Sequence, residues 1–305
     1  MSLTGGDMTI NNSAKGGKGI KVGNSDTAST LTIGTSGADN DLLSLDVNTS
    51  GSCIATTGSG MEMGYVGSAK GVKVMGAITV NSGNIHISTA SDGAEGMESK
   101  QTITFNGGIF EGDTYDDALN AAGCITFNDG YVWAHASNND AIDSNSSSGT
   151  NGIVVNGGVI IGTSTTSPEE AFDCDNANFV LNGGVLIGVG GAQGGGGGFG
   201  GSTSTAGAPT SATQAYAMVS SVSLTSGYYI SMKNSSGTVL CSYKMPQSLS
   251  SVNILVSHPS LTGSGTVVYN STAVSGGSNI HWNGAYCTGA TLTGGTSTSI
   301  TPSTN

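Results

Sequence analysis

The sequence predicts an all-β solenoid of the parallel β-helix type, and three observations support this prediction. A triplet with apolar first and third residues, followed by asparagine or glycine, recurs along the chain; its copies between residues 78 and 182 lie 22 to 28 residues apart. Self-similarity at this period is typical of solenoids whose repeating unit is one coil. The period-two alternation indicates strands, and no helical periodicity accompanies it. The copies occupy residues 8–11, 31–34, 78–81, 103–106, 125–128, 153–156 and 179–182.

Each coil is predicted to contain three short strands joined by tight turns. The triplet forms one strand, with its first and third side chains pointing inward. The fourth residue after each turn asparagine is also apolar, so a second strand leaves the turn with one face inward. Glycine closes each turn, because the chain there needs a positive φ that other residues adopt only with strain. These glycines are Gly83, Gly108, Gly130, Gly158 and Gly184.

A third strand is predicted before each turn, from a phrase whose second residue is always apolar, as in residues 118–121 (Ala-Leu-Asn-Ala). Two columns of polar, mostly charged residues flank this apolar position, with lysines in the early coils and carboxylates in the later ones. One column contains Lys18, Lys70, Glu95, Asp117, Asp140 and Glu170. The other contains Lys21, Lys73, Glu98, Asn120, Asp143 and Asp173.

The carboxylate part of these columns predicts a calcium site. Strands stacked in register place equivalent residues ~4.8 Å apart, and at that distance each pair of like charges costs on the order of 1 kcal/mol even in water. Splaying into solvent, protonation or a bridging cation would relieve the repulsion, and calcium prefers such oxygen ligands. A solvated acidic face is the alternative. The candidate metal ligands are Glu95, Glu98, Asp116, Asp117, Asn120, Asp140, Asp143, Glu170 and Asp173, with Asn139 nearby.

Composition excludes several classes of function. The net charge is −12 and all eight basic residues are lysines, so the chain repels nucleic acid and anionic membranes. It contains no run of 18 or more apolar residues and no basic and apolar leader, so we expect neither membrane insertion nor a signal peptide here. Five scattered cysteines without a CxxC spacing indicate neither a disulfide framework nor a zinc site.

The chain divides by composition into three parts. Residues 1–189 hold the repeats and form the predicted coils, and residues 190–212 are a glycine- and serine-rich loop. Residues 213–305 are a β segment that caps or extends the solenoid, with a hairpin around the turn at residues 234–237 and strands near 252–257 and 266–269. We expect the Ser/Thr-rich tail after residue 290 to be mobile.

These phrases resemble a family of bacterial carbohydrate-binding β-helix proteins with a fold similar to that of pectate lyases. Residues 103–108 (Ile-Thr-Phe-Asn-Gly-Gly), 117–121 and 140–144 match its repeat most closely, and residues 236–257 look like its closing segment. The resemblance covers residues 8–188. It implies a right-handed helix and a secreted or bacterial cell-surface protein that binds plant polysaccharide, either cellulose or acidic sugars such as polygalacturonate, with calcium in the acidic coils. The early lysines depart from the family pattern, which restricts the expected metal to residues 92–175.

Three classes of function stay open: a binding module, a calcium-dependent polysaccharide lyase and a structural or adhesive solenoid. A lyase needs a basic residue to remove a proton, and the chain has no arginine. Lys100 is the only lysine adjoining the acidic columns, and nearby carboxylates favour its charged form, so we expect no catalytic residue. Lys100 and the outward-pointing Trp133 are the candidate ligand-binding residues, while the oligomeric state is left open.

Overall fold

The computed structural model describes residues 1–55, 65–192 and 207–305 and confirms an all-β protein with parallel sheets. No α-helix occurs in these ranges; two short 3₁₀ turns, Asn40–Leu42 and Trp282–Gly284, are the helical elements there. From Val72–Val74 onward, the chain visits three parallel sheets in a fixed order that repeats through successive coils. Each coil between residues 72 and 164 therefore adds one strand to each sheet, and the next coil continues the first sheet only through a bridge at Asp173.

The first of these, the charged sheet, contains the strands that bear the predicted columns. Its middle residues point outward and the flanking apolar residues point into the core, as the burial of Leu119 and Ala121 shows. All of its strand pairs are parallel. The strands are Ile20–Val22, Val72–Val74, Met97–Ser99, Leu119–Ala121 and Ile142–Ser144.

The second, the asparagine sheet, contains the recurring triplets, each with buried first and third residues around a half-buried middle one. The asparagine that follows each triplet donates its side-chain amide to the asparagine of the preceding coil, at 2.8 to 3.0 Å. This ladder runs from Asn81 to Asn182 and ties five coils together. The strands are Ser2–Leu3, Leu31–Ile33, Ile78–Val80, Ile103–Phe105, Ile125–Phe127, Asn151–Val155, Asn178–Leu181 and Ser211–Ala212.

The third, the long-strand sheet, follows the asparagine turns. All five glycines that close those turns have positive φ; at Gly130 φ is +107°, and a Cβ would lie 2.9 Å from the backbone of the neighbouring coil. The predicted glycine positions are thereby confirmed. The parallel strands are Gly6–Asn12, Leu43–Thr49, Asn84–Thr89, Ile109–Thr114, Tyr131–Ala136, Val159–Ser164 and Val185–Ala192.

The inward residues of the three sheets form one continuous apolar core along the stack. Aromatic rings fill its middle: Phe105 and Phe127, at equivalent positions on adjacent coils, stack with centroids 5.5 Å apart, and Phe110 meets Phe105 edge-on at 5.7 Å. Stacking supplies the burial that a single glycine-rich coil lacks.

The carboxy-terminal region extends the long-strand sheet and then builds a sheet of its own. Strand Leu249–Ser257 pairs antiparallel with Val185–Ala192 and with Tyr216–Leu224. The predicted hairpin is present as Tyr229–Asn234 and Val239–Lys244. A six-stranded sheet, the C-terminal sheet, joins Ser278–His281, Tyr286–Thr288, Val239–Lys244, Tyr229–Asn234, Gly265–Ser271 and Thr296–Ile300.

The expectation of a mobile tail is wrong. Thr291–Thr293 pairs with Ala273–Ser275, and Thr296–Ile300 pairs with Gly265–Ser271 along its whole length. Backbone hydrogen bonding thus holds a segment whose side chains bury little surface. Of the predicted loop 190–212, residues 193–206 lie outside the described residues, and Val185–Ala192 and Ser211–Ala212 flank them as strands.

Three smaller findings complete the description of the fold. Ile54–Ala55 and Tyr65–Gly67 form a short antiparallel pair between coils. All five cysteines are free thiols. In the described ranges no helix is long and apolar enough to cross a membrane.

Candidate functional site

The register of the charged sheet aligns one predicted column residue by residue. Its middle positions pair directly across the parallel strands, and an isolated bridge from Asp143 continues the alignment into the next coil. The outward side chains therefore stack one above another, with positive residues at the early end and negative ones at the late end. The aligned residues are Lys21, Lys73, Glu98, Asn120, Asp143 and Asp173.

At the early end, lysines neutralise two of the predicted metal ligands. The Lys70 ammonium, only 1% exposed, lies 2.5 Å from Glu95 Oε1 and 2.8 Å from Glu98 Oε2. Glu98 also pairs with Lys73 at 2.9 Å and with Lys100 at 2.6 Å. Burial raises the pKa of Glu98, but the three lysines outweigh burial and lower it to about 2. Because three lysines already neutralise its carboxylate, Glu98 is poorly suited to bind a metal ion.

At the late end, amides separate the carboxylates. The Asn120 Nδ2 donates to Asp117 Oδ2 at 2.7 Å and to Asp143 Oδ2 at 2.9 Å. Asn145 donates to the same Asp143 oxygen at 2.7 Å, and the Asp140 amide donates to Asp117 Oδ1 at 3.1 Å. One amide group thus links two aspartates that lie on neighbouring coils.

Burial and mutual repulsion make these acids hard to ionise. Burial raises the pKa of Asp117 well above its ordinary value, and the charge of Asp143 raises it further. Burial and Asp173 do the same for both Asp140 and Asp143. For Glu170, burial and Asp173 raise the pKa to about 8. Without a bound cation, the carboxyl groups at this end of the column are therefore either protonated at neutral pH or ionised at a cost in stability.

A cavity of about 340 Å³ opens between the two ends. One of its walls is Glu95, which is 9% exposed; its Oε1 pairs with Lys70, but its buried Oε2 has no hydrogen-bond partner. Burial raises the pKa of this carboxyl to about 7 although Lys70 opposes the change. The lining residues are Ser68, Gly93, Glu95, Glu98, Lys100, Asp116, Asp117, Asn120, Ala122, Asn139, Asp143 and Asn145.

The donor chemistry of the cavity fits calcium, although the side chains have not converged around one point. Within residues 1–55, 65–192 and 207–305, no three His, Cys, Asp or Glu side chains already form a group that could hold a metal ion. The observation that favours a cation is the unpartnered Glu95 oxygen, which is buried in a cavity that the carboxylates of Asp116 and Asp117 also line. Calcium tolerates flexible geometry and mixed carboxylate and amide oxygens. Asn120 would have to turn its amide over to present its oxygen, because its Nδ2 faces Asp117 and Asp143.

The structure divides the nine predicted ligands into three groups. Glu95, Asp116, Asp117, Asn120 and Asp143 line the cavity, and Glu98 lines it but is neutralised. The remaining three do not line the cavity. Asp140 precedes Asp143 on the same coil, and Glu170 and Asp173 lie on the next coil, where the charge of Asp173 raises the pKa of Asp140 and Glu170.

Sequence reasoning missed one contributor, Asn145, which donates to Asp143. The sequence does contain a signal for Asn145, because this residue follows a column residue by two positions, as Asp175 follows Asp173. The amide of Asn139, which had been noted, donates to Asp116 Oδ1 at 2.7 Å.

Of the two predicted ligand-binding residues, Lys100 lines the cavity and pairs with Glu98. Trp133 lies on the long-strand sheet, half-buried against the C-terminal sheet. Its Nε1 donates to Tyr243 Oη at 2.9 Å, and its ring lies 6.3 Å from that of Trp282. The C-terminal region therefore covers part of the indole, and a ligand can reach only the remaining part of the ring.

No family model matches this chain, and searches of the curated proteins and of the solved structures found no match. The sheet topology and the geometry of the cavity are therefore the observations that distinguish the candidate functions.

Proposed function

We propose that this chain is a right-handed parallel β-helix that binds carbohydrate without cleaving it. Its ligand in this proposal is an acidic plant polysaccharide such as polygalacturonate, bound through calcium in the acidic cavity; cellulose is the alternative ligand. The supporting observation is the in-register column, which sets Asn120 beside Asp143 on adjacent strands. The Asn120 amide donates to both Asp143 and Asp117, and all three residues line the cavity. Such a protein acts outside the cell or at a bacterial surface.

A bound calcium ion would relieve two electrostatic repulsions, one within the protein and one between the protein and its ligand. It neutralises buried carboxylates that otherwise repel one another, and it gives an acidic sugar a positive partner on a protein whose net charge is −12. The carboxylates of Asp116, Asp117, Asp143 and Glu95, with the amide oxygen of Asn120, are the residues that would hold it. Glu98 is not among them, because three lysines already neutralise it.

The geometry disfavours a lyase, the first alternative. Such an enzyme needs a base, and a lysine can serve only if its amine is neutral near pH 7. Burial lowers the pKa of Lys70, but the charges of Glu95 and Glu98 raise it by more, so its ammonium stays charged. Lys73 and Lys100 are paired with Glu98, and the chain contains no arginine.

A purely structural solenoid, the second alternative, has support from the asparagine ladder, which needs neither metal nor sugar. It does not account for the cavity on the charged sheet, where buried acids are left incompletely neutralised. A solenoid selected for stability alone gains by replacing such buried, repelling charges with apolar residues.

Isothermal calorimetry with calcium tests the metal site directly. We expect calcium to bind the unaltered protein, and Asp143→Asn to weaken this binding because the substitution removes a central carboxylate. The matched control is Asp7→Asn, which makes the same charge change at an exposed position on Gly6–Asn12. Equal calcium binding by the Asp143 variant and the unaltered protein would contradict the proposed site.

A further inference from the structure

Positive charge is concentrated at one end of the solenoid. Residues 101 to 232 contain no lysine or arginine, whereas residues 15 to 100 contain six of the eight lysines. The acidic column occupies the late coils of the same sheet. The charged sheet therefore changes sign along the stack, with the cavity near the point of change.

The lysines nearest the cavity are already neutralised. Glu95 and Glu98 pair with Lys70, and Glu98 also pairs with Lys73 and Lys100. These ammonium groups therefore have carboxylate partners, and Asp116 and Asp117 line the same cavity.

One step further along the stack, no carboxylate among the described residues forms an ion pair with Lys18 or Lys21. Lys21 is exposed and pairs across the sheet with Lys73, and its Nζ donates to Asn24 at 3.0 Å. The Lys18 Nζ donates to the Gly16 carbonyl at 3.0 Å. In the described part of the chain, neither ammonium forms an ion pair with a carboxylate.

The surroundings of Lys18 agree with an uncompensated positive site. Burial lowers the pKa of its ammonium, repulsion from Lys73, Lys70 and Lys21 lowers it further, and attraction to Glu98 offsets only part of this. An anion placed among these lysines would relieve that repulsion.

We infer that Lys18 and Lys21 form a second subsite, which binds a carboxylate of an acidic glycan directly and without calcium. The inference rests on the proposed function, because the same glycan would continue along the charged sheet to the calcium-dependent cavity. Lys21 lies three strands from Asn120, which is about 14 Å at the spacing of stacked strands. An oligomer of several uronates can therefore span both subsites, with direct contacts at one end and bridged contacts at the other.

The test is calorimetric titration of an oligogalacturonate of defined length into the full chain in calcium-free buffer. Calcium is removed with a chelating resin, because a soluble chelator is itself a polycarboxylate and would compete for the lysines. We expect the double substitution Lys18→Gln and Lys21→Gln to weaken this binding about tenfold. The matched control, Lys233→Gln with Lys244→Gln, makes the same charge change on the C-terminal sheet and leaves the affinity unchanged. Urea unfolding verifies that both variants are as stable as the unaltered protein.

A second series of titrations with calcium present separates this inference from the proposed function. The Lys18/Lys21 variant is expected to keep the gain in affinity that calcium gives. If calcium strengthens binding equally in all proteins while the lysine substitutions change nothing in calcium-free buffer, the lysine subsite is refuted and the calcium site stands. If the lysine substitutions weaken binding but calcium adds nothing, the lysine subsite stands and the calcium bridge fails. If the oligogalacturonate binds in neither buffer, both the lysine subsite and the calcium-dependent site are refuted.

Discussion

The stability of the calcium-free protein is expected to fall as the pH rises from 5 to 8. The acids around the cavity have folded-state pKa values above their ordinary ones, so the folded chain binds more protons than the unfolded chain in this range. Stability decreases with pH wherever the folded state holds more protons. The opposite contribution of Glu98, whose pKa is lowered to about 2, changes only below pH 5. Burial also lowers the pKa of His258 and His281, and these two groups oppose part of the fall within the range.

The size of the expected loss of stability follows from the two acids whose pKa values are most clearly raised, Glu95 and Glu170. Raising the pKa of Glu95 from 4.5 to about 7 corresponds to about 3 kcal/mol of stability lost once the group is ionised. The rise to about 8 for Glu170 corresponds to about 5 kcal/mol, which solvent screening at this half-buried side chain reduces. Together the two contributions are a large fraction of the free energy of unfolding of a typical domain, which is roughly 5–15 kcal/mol. Asp117, Asp140 and Asp143 act in the same direction.

Urea unfolding at pH 5, 6, 7 and 8, followed by far-ultraviolet circular dichroism in resin-treated buffer, measures this loss. We expect the midpoint to fall by about 1 M urea or more across the range. Glu170→Gln should flatten the dependence, because it removes one of the groups that ionise, whereas the exposed Asp7→Asn should leave it unchanged. Saturating calcium at pH 8 should restore about 3 kcal/mol at a hundredfold excess over Kd. A midpoint that is constant or rises from pH 5 to 8 in calcium-free buffer would refute the reasoning.

Three further substitutions test the fold around the site. Lys70→Met should destabilise the chain by about 3–5 kcal/mol in urea unfolding, because it leaves Glu95 buried without its cation; adding Glu95→Gln should recover part of the loss, and no recovery would contradict the pairing. Gly130→Ala should lower stability by at least about 1 kcal/mol, since φ is +107° and the new Cβ would lie 2.9 Å from backbone; an unchanged thermal midpoint would argue against this turn. Tyr243→Phe should cost about 1–3 kcal/mol, because the Trp133 indole loses its acceptor at 2.9 Å; unaltered tryptophan fluorescence and stability would show that the contact is unimportant.

The sequence alone was sufficient for the repeating part of the fold. Burial has a period of two within each triplet, and the turn asparagines and glycines repeat with it, so the strands and their register could be read from spacing. Coil lengths vary between 22 and 28 residues, yet the asparagine ladder stays unbroken, because the extra residues lie outside the paired strands.

The parts that depend on contacts between coils could not be predicted in the same way. The columns placed Lys70 beside Glu95, but the three lysines around Glu98 follow from side-chain directions that spacing does not specify. Spacing alone therefore predicted Glu98 as a metal ligand, although three lysines already neutralise its carboxylate.

The carboxy-terminal region was the least predictable. Its antiparallel strands have no common period, and Thr296–Ile300 pairs with Gly265–Ser271 about 30 residues upstream. A Ser/Thr-rich segment with few apolar residues is typical of a mobile tail, and only the pairing partner shows otherwise. The same region packs on Trp133, whose alternation with Val132 had indicated an open outward position.

Calorimetric titration of polygalacturonate into the protein tests the central claim most directly, once in resin-treated buffer and once with calcium, while the absorbance of an unsaturated uronate is followed. Binding that calcium strengthens, without a rise in that absorbance, is the predicted result. Formation of unsaturated product would instead make the protein a lyase, and equal or absent binding in the two buffers would contradict a calcium-dependent carbohydrate site.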